Sequence, residues 1–378
     1  MIYLDYNAST PVDPAVREAM LPFLGEQFGN PSSSHARGRP VREAVETARG
    51  RVAAMLGAAP DDIVFTSGGT EANNFVIKGV AERRKKRGRH IITSSIEHPA
   101  VIKPCGYLED NGFEVTYVDV NGQGLVDPQS VIEEIRPDTI LISIMHANNE
   151  VGTIQPIAEI AEIAREAGVL MHTDAAQSVG KIPTNVKELG VDFLSVAGHK
   201  LYAPQGIGAL YMRSGIDLEP LHHGAGHEKG RRAGTEPVPA IVGLGAAAQL
   251  AQNGLDAERI TALRDRLHDG LRESLGDKVV LLGHPELRLP NTLAVSFPSR
   301  SGADVLAACP ELCASTGAAC HSGNAKRSGV LAAMNVPETV AIGAVRFSVG
   351  RHTTEAEVDE AVRMIVYALL GGGITADA

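Results

Sequence analysis

From residue 62 onward, short β-rich runs alternate with stretches of helical period, the pattern that βαβ units leave around a parallel sheet. Seven runs read as strands: Asp62-Ile-Val-Phe-Thr-Ser, His90-Ile-Ile-Thr-Ser-Ser, Val115-Thr-Tyr-Val, Thr139-Ile-Leu-Ile-Ser-Ile-Met, Val169-Leu-Met-His-Thr-Asp, Asp192-Phe-Leu-Ser-Val and Ile207-Gly-Ala-Leu-Tyr-Met. Helical patterns lie between several of them, as at Ile157 to Ala167, where Ile157, Ile160, Ile163 and Ala164 share one face. Beyond Gly254 the order becomes α+β. Ile260, Leu263, Leu267 and Leu271 mark an amphipathic helix, followed by strand-like Val279-Val-Leu-Leu, Thr292-Leu-Ala-Val-Ser-Phe and Val345-Arg-Phe-Ser-Val. Thr354-Glu-Ala-Glu357 reads as a capping box opening a last helix whose apolar stripe is Val358, Val362, Ile365 and Leu369. The pattern predicts an α/β fold with one seven-stranded, mainly parallel sheet and a smaller α+β C-terminal domain from about residue 255.

Composition narrows the function. The chain has 378 residues, 44% hydrophobic and 21% charged, enough to bury a large core. Its 35 Lys and Arg against 45 Asp and Glu give a net charge of −10, which argues against a nucleic-acid binder needing a basic face. No basic-then-apolar leader opens the chain and no long apolar window follows, so no membrane role is expected. The four cysteines, at 105, 309, 313 and 320, make no disulfide framework and point to a reducing, cytoplasmic setting. Cys105 is expected at a helix start, and Cys309 and Cys313 in a helical region, as small hydrophobes. Cys320 differs: it lies in a glycine-rich polar stretch flanked by His321, Lys326 and Arg327, which reads as a mobile loop favouring a thiolate. The basic run Arg83 to Arg89 reads as a solvated helix end.

Candidate chemistry collects where ligands bind in open parallel sheets, beyond the carboxyl ends of the strands. Ser67-Gly-Gly-Thr70 follows the first strand and opens a helix, a turn that suits an anion such as phosphate. Glu97-His98, His146-Ala-Asn-Asn149-Glu150, Asp174-Ala-Ala-Gln177 and Gly198-His199-Lys200 follow the others. Asp174 ends an apolar strand, where a carboxylate needs a cationic or hydrogen-bonding partner; a protonated pyridine nitrogen is one. Lys200 also ends an apolar strand, where burial would free its amine for a Schiff base. Taken singly, Thr70 is a helix cap and Lys200 a surface lysine. Together the three fit pyridoxal 5′-phosphate (PLP) better than another cofactor. A non-enzymatic alternative takes His222-His-Gly-Ala-Gly-His227 with the cysteines as a metal-binding module, without a CxxC to support it.

Longer motifs carry a resemblance: Tyr3-Leu-Asp-Tyr-Asn-Ala-Ser-Thr-Pro, Phe28-Gly-Asn-Pro-Ser-Ser, Thr66-Ser-Gly-Gly-Thr-Glu-Ala-Asn-Asn, Met145-His-Ala-Asn-Asn-Glu-Val-Gly, His172-Thr-Asp-Ala-Ala-Gln-Ser-Val-Gly-Lys, Gly198-His-Lys, Arg232-Ala-Gly-Thr-Glu, Gly317-Ala-Ala-Cys and Arg346-Phe-Ser-Val-Gly-Arg. Through almost its whole length the chain resembles the NifS-like cysteine desulfurases of the class V aminotransferase group, close to the selenocysteine lyases. The resemblance implies the PLP-dependent transferase fold type I, with a large PLP-binding domain over 15–254 and a small domain from 1–14 and 255–378 that carries the cysteine loop at about 315–331. It implies that Lys200 carries PLP, Asp174 pairs with the ring nitrogen, His98 stacks on the ring and shuttles protons, and Gln177 and Asn149 address the ring oxygen and the substrate. Thr70 and His199 would hold the phosphate, Thr235 would reach the phosphate in the partner subunit's site of a homodimer, and Arg346 would bind the substrate carboxylate. Cys320 would take sulfur from L-cysteine as a persulfide, leaving L-alanine, and pass it to an acceptor protein such as an iron–sulfur scaffold. Two departures stand out: Ala197 replaces a usual serine before Gly-His-Lys, and Gly-Ala-Ala-Cys replaces Gly-Ser-Ala-Cys. Both lean toward a selenocysteine lyase acting on L-selenocysteine, whereas Pro99 after His98 leans back toward the desulfurases. A PLP aminotransferase that does not use Cys320 is the remaining enzymatic alternative.

Overall fold

The computed structural model describes residues 1–253, 256–298, 300–316 and 327–371. The chain opens with a short strand β1 (Ile2–Tyr3) and helices α1 (Pro14–Leu24) and α2 (Gly38–Leu56). The alternating region follows as β2 (Ile63–Thr66), α3 (Gly69–Arg84), β3 (His90–Ser94), α4 (Pro99–Glu109), β4 (Glu114–Val118), α5 (Pro128–Glu134), β5 (Thr139–Ser143), α6 (Ile157–Glu166), β6 (Leu170–Asp174), α7 (Val186–Leu189), β7 (Phe193–Ala197) and β8 (Gly208–Met212). Helix α8 (Val238–Asn253) packs back on α1 and α2. The remainder is α9 (Ala257–Leu275), β9 (Val280–Leu282), β10 (Thr292–Ser296), α10 (Gly302–Ala307), β11 (Leu312–Cys313), α11 (Gly329–Ala333), α12 (Glu338–Ala341), β12 (Ala344–Ser348) and α13 (Glu355–Leu370).

All seven strands read from the pattern lie in one sheet of order β2-β8-β7-β6-β5-β3-β4. Only β8 runs against its neighbours, and the other pairs are parallel. The central strands β3, β5, β6 and β7 are buried at every position, as a sheet covered on both faces requires. One face packs on a core that includes Val52, Ile142, Leu194 and Ile241, the other on Phe75, Ile91, Ile140 and Phe193. Because the strands are parallel, Ser94, Ser143, Asp174 and Ala197 reach the same edge of the sheet. The segments that follow them build the cavity described below.

A second core holds Leu263, Leu267, Leu271, Phe297, Phe347 and Ile365 between α9, α13 and the antiparallel sheet β12-β10-β9. The Thr354 capping box forms in both directions, with the Thr354 hydroxyl accepting from the Glu357 amide and Glu357 accepting from the Thr354 amide. The N-terminal segment joins this half: β1 pairs with β11, and Asp5 bridges to Ser348 at the end of β12.

Two cysteine expectations need correction. Cys105 is not at a helix start but inside α4, fully buried; His98 caps that helix and Pro99 begins it, so Pro104 sits within rather than at the boundary. Cys313 is not helical but in β11, because the helix ends at Ala307 ahead of Pro310 and the chain extends to pair with β1. Cys309 is buried just past that helix. Of the segment expected as one loop to residue 331, residues from Gly329 onward form α11, capped by the Ser328 hydroxyl. The basic run ends α3 as expected: Arg83 pairs with Asp217 and Lys85 with Glu82.

Phe347 is wholly buried in the second core. Phe347→Ala should destabilise that half by about 3–5 kcal/mol; a urea transition displaced by less than about 1 kcal/mol would show that this core does not hold the layer together.

Candidate active site

The carboxyl ends of β3, β5, β6 and β7, with the N-terminal segment and β12, enclose a cavity of about 420 Å³. Its walls include Thr70, His98, Asn149, Asp174, Gln177, His199, Lys200 and Arg346, which brings together eight of the side chains singled out from the sequence. Thr235 does not line it; it is exposed in the segment before α8. Cys320, in 317–326, lies outside the described residues.

The turn after β2 is held open by Gly68, whose φ of 153° and ψ of −178° suit glycine. Helix α3 begins at Gly69 without a side-chain cap, so its first amides and Thr70 face the cavity as an anion site. A Cβ on Gly69 would lie 3.4 Å from the Ala197 methyl, so Ala197 sits against this turn where a serine would offer a hydroxyl. His199 is held to about pH 4 by burial and the neighbouring Lys200, and is therefore a neutral hydrogen-bonding group beside the turn.

Asp174 is buried at the end of β6. Its Oδ2 accepts from Asn73 Nδ2 at 2.6 Å and its Oδ1 from the Ala176 amide at 2.9 Å, both neutral donors. It forms no ion pair among the described residues. A carboxylate placed so is short of a cation, and a protonated ring nitrogen supplies one. Lys200 donates to the carbonyls of Asn7 and Ala8, the latter at 2.7 Å. Burial first and then Arg346 lower its amine to about 8, which leaves about a tenth of it uncharged at pH 7. His98 accepts from the Ala100 amide through Nδ1 at 3.1 Å, so its neutral ring carries the proton on Nε2. Desolvation, reinforced by Lys200 and opposed by Asp174, keeps His98 below its ordinary value. Arg346, on β12, donates to the Asn149 carbonyl at 2.9 Å and to Asp5 at 2.7 Å, while its Nε has no partner. The fork is thus fixed in plane with donors left for a carboxylate.

Asn73 and Asn7 take no role from the sequence, and Glu97 and His146 are placed by it only at strand ends. Asn73 follows Thr70 by three residues, one helical turn, and that spacing was the available signal. Asn7 lies far from the strand ends in sequence, yet its carbonyl receives Lys200 and Gln177, and its side chain reaches Thr292 at 2.8 Å. Glu97 is wholly enclosed beside His98; burial, with Asp174 adding to it, pushes its carboxyl up to about 8. It accepts from the Ser94 hydroxyl at 2.5 Å and the Met145 amide at 2.8 Å, tying the β3 and β5 ends together. His146 is buried and held to about 4 by desolvation, and does not line the cavity. Of the histidines considered for metal, His222 and His223 are exposed and His227 meets Glu236 at 3.0 Å. No group of His, Cys, Asp and Glu suited to a metal occurs among the described residues.

A phosphate turn, a buried carboxylate short of a cation, and a lysine of lowered pKa on one edge of a mostly parallel seven-stranded sheet define a fold type I PLP enzyme. Comparison with known proteins agrees. The description "Aminotransferase class-V" fits residues 2–361, and the chain belongs to that family. Among curated relatives, "Cysteine desulfurase IscS" of Dictyoglomus turgidum is 50% identical over 362 residues, covering 95% of this chain and 92% of that protein. A solved "NIFS-like protein" superposes with a TM-score of 0.92 at 40% identity, over 98% of this chain and 99% of that one. A structure described as "SspA in complex with cysteine" matches at 0.82 and 39% identity, over 94% and 100%.

In cofactor-free protein, acetylation of Lys200 by acetic anhydride, mapped by mass spectrometry, should rise with a midpoint near pH 8 because the amine is reactive once deprotonated. A midpoint near 10.4, the ordinary lysine value, would contradict the desolvated site.

Proposed function

We propose that this protein is a PLP-dependent cysteine desulfurase that converts L-cysteine to L-alanine and carries the sulfur as a persulfide on Cys320. The observation that carries the reading is that Thr70, Asp174, Lys200 and Arg346 line one cavity. The names of the relatives favour this reading over a selenocysteine lyase or an aminotransferase. Bound PLP supplies an electron sink for charge developing at the substrate Cα.

The residues of this chain do the rest. The amides opening α3, with Thr70 and His199, would hold the phosphate. Asp174 would pair with the protonated ring nitrogen, and Asn73 and the Ala176 amide hold the carboxylate in place. The Lys200 amine, lowered to about 8, would take a proton from the substrate Cα and return one. His98 carries a proton on Nε2, with Nδ1 engaged by the α4 amide, and relays it within the cavity. The Arg346 fork binds the substrate carboxylate, and Asn149, whose carbonyl it holds, lies beside that group. The Cys320 thiolate attacks the substrate sulfur. A sulfur–sulfur bond forms, the bond from sulfur to the substrate Cβ breaks with its electron pair leaving on carbon, and protonation of that carbon yields alanine.

In this reading 15–254 is the cofactor-binding unit, and 1–14 with 255–378 the smaller unit that carries the cysteine. The exposed Thr235, outside its own chain's cavity, serves the partner subunit's phosphate in a homodimer. The persulfide passes to an acceptor protein such as an iron–sulfur scaffold, and the setting is the cytoplasm. No helix among the described residues is long and apolar enough to cross a membrane.

Cys320→Ser should keep the visible absorption of bound cofactor and lose sulfide release from L-cysteine, read as sulfide in the presence of a thiol. Sulfide release at the unmodified rate would remove Cys320 from the mechanism, and amino transfer to a keto acid that the substitution leaves unchanged would revive the aminotransferase reading.

A further inference from the structure

Lys181 is the one buried-facing amine near the cavity, among the described residues, that the mechanism above does not use. It follows Gln177 by four residues in the turns after β6 and is half-buried. Its Nζ donates to Gln177 Oε1 at 2.9 Å and to Asn7 Oδ1 at 3.1 Å. It does not line the large cavity; it faces a separate space of about 60 Å³ bounded by Tyr6, Tyr202 and Arg351. Gln177 does line the large cavity. The oxygen of the Gln177 amide therefore points away from the cavity, toward Lys181. Its nitrogen donates one hydrogen to the Asn7 carbonyl at 3.0 Å and retains a second.

An amide left to itself can present either end, because oxygen and nitrogen are nearly the same size. Two neighbours of fixed character remove that freedom here. The Asn7 carbonyl only accepts, and Lys181 spends its hydrogens on two oxygens. Asn7 is itself locked by Asn291, whose amide donates to the same Oδ1 at 2.9 Å, and by the Thr292 hydroxyl. A reversed Gln177 would set its oxygen against the Asn7 carbonyl and its N–H₂ against the Lys181 hydrogens.

We propose that Lys181 is a positioning residue for the cofactor: it holds the Gln177 amide with oxygen outward, so that an N–H of Gln177 faces the ring oxygen of bound PLP. The proposal rests on the PLP reading given above. Besides Lys200 and Arg346, the large cavity is lined by Asp174, His98 and His199, Asp5 meets Arg346, and the smaller space beside Lys181 is lined by Asp256, Arg259 and Arg351.

The readout is the pH midpoint of the visible absorption band of the holoenzyme. A donor to the ring oxygen stabilises its negative charge and competes with the proton that oxygen shares with the Lys200 nitrogen; losing the donor raises the midpoint. Lys181→Met should raise it by about one pH unit, the scale of one hydrogen bond to a charged group. Lys181→Gln, which keeps polar contacts but can satisfy the amide either way round, should raise it less, and carries the test if the methionine variant does not fold. Gln177→Leu should raise it at least as far, and adding Lys181→Met to Gln177→Leu should raise it no further, because the lysine acts through the glutamine. An unchanged midpoint in both Lys181 variants, or shifts that add in the double variant, would overturn the proposal. An unmodified protein with no visible band would instead overturn the PLP reading itself.

Discussion

The arrangement depends on one constraint: a carboxylate buried at the end of a central parallel strand must be neutralised. Asp174 has neutral donors on both oxygens and makes no ion pair among the described residues. Taking an ion out of water costs several kcal/mol unless a charge or good hydrogen bonds offset it. The sheet could have placed an arginine there. It places a cavity instead, so that a ligand with a protonated nitrogen completes the ion pair. Stability and chemistry thereby become the same interaction.

The surrounding groups follow from that choice. Burial next to Arg346 lowers the Lys200 amine, and burial beside Asp174 raises the Glu97 carboxyl. Asn7 joins the parts: its carbonyl receives Lys200 and Gln177, and its side chain reaches Asn149, Thr292 and Asn291. The N-terminal segment that carries it pairs with β11 and bridges to β12. The smaller core thus fixes the geometry of a cavity built mainly by the larger sheet, and Arg346 crosses from β12 to meet Asn149 in the same way.

Much of this was legible in the sequence, for physical reasons. The strands of a doubly covered sheet are short apolar runs, so all seven stood out, and a polar residue ending such a run, like Asp174, announces a need for a partner; Lys200, expected at a strand end, lies instead in the turn past the strand that ends at Ala197. The Thr354 box was readable because both of its bonds are local. What stayed hidden depends on packing between distant segments. Asn7, Asp5 and Lys181 carry no local sign of the partners they meet, and Gln177 does not reveal which end of its amide faces the cavity. Cys105 and Cys313 were misplaced because each follows a proline closely, and a proline inside a helix or between a helix and a strand reads alike in one dimension. The roles assigned to Thr235 and Cys320 rest on resemblance, since the first would act across a subunit boundary and the second lies outside the described residues.

The central claim is that charge at Asp174, rather than the presence of a polar group there, makes this cavity chemical. Asp174→Asn keeps the size and one hydrogen-bond acceptor of the side chain but removes the charge. The measurement is alanine formed from L-cysteine by Asp174→Asn protein reconstituted with PLP, alongside its absorption spectrum. The account predicts retained absorption, because Lys200 and the phosphate turn still hold the cofactor, and a loss of turnover of about two orders of magnitude or more, the scale of removing one preorganised electrostatic contact. Alanine formation within a few-fold of the unsubstituted protein would contradict it.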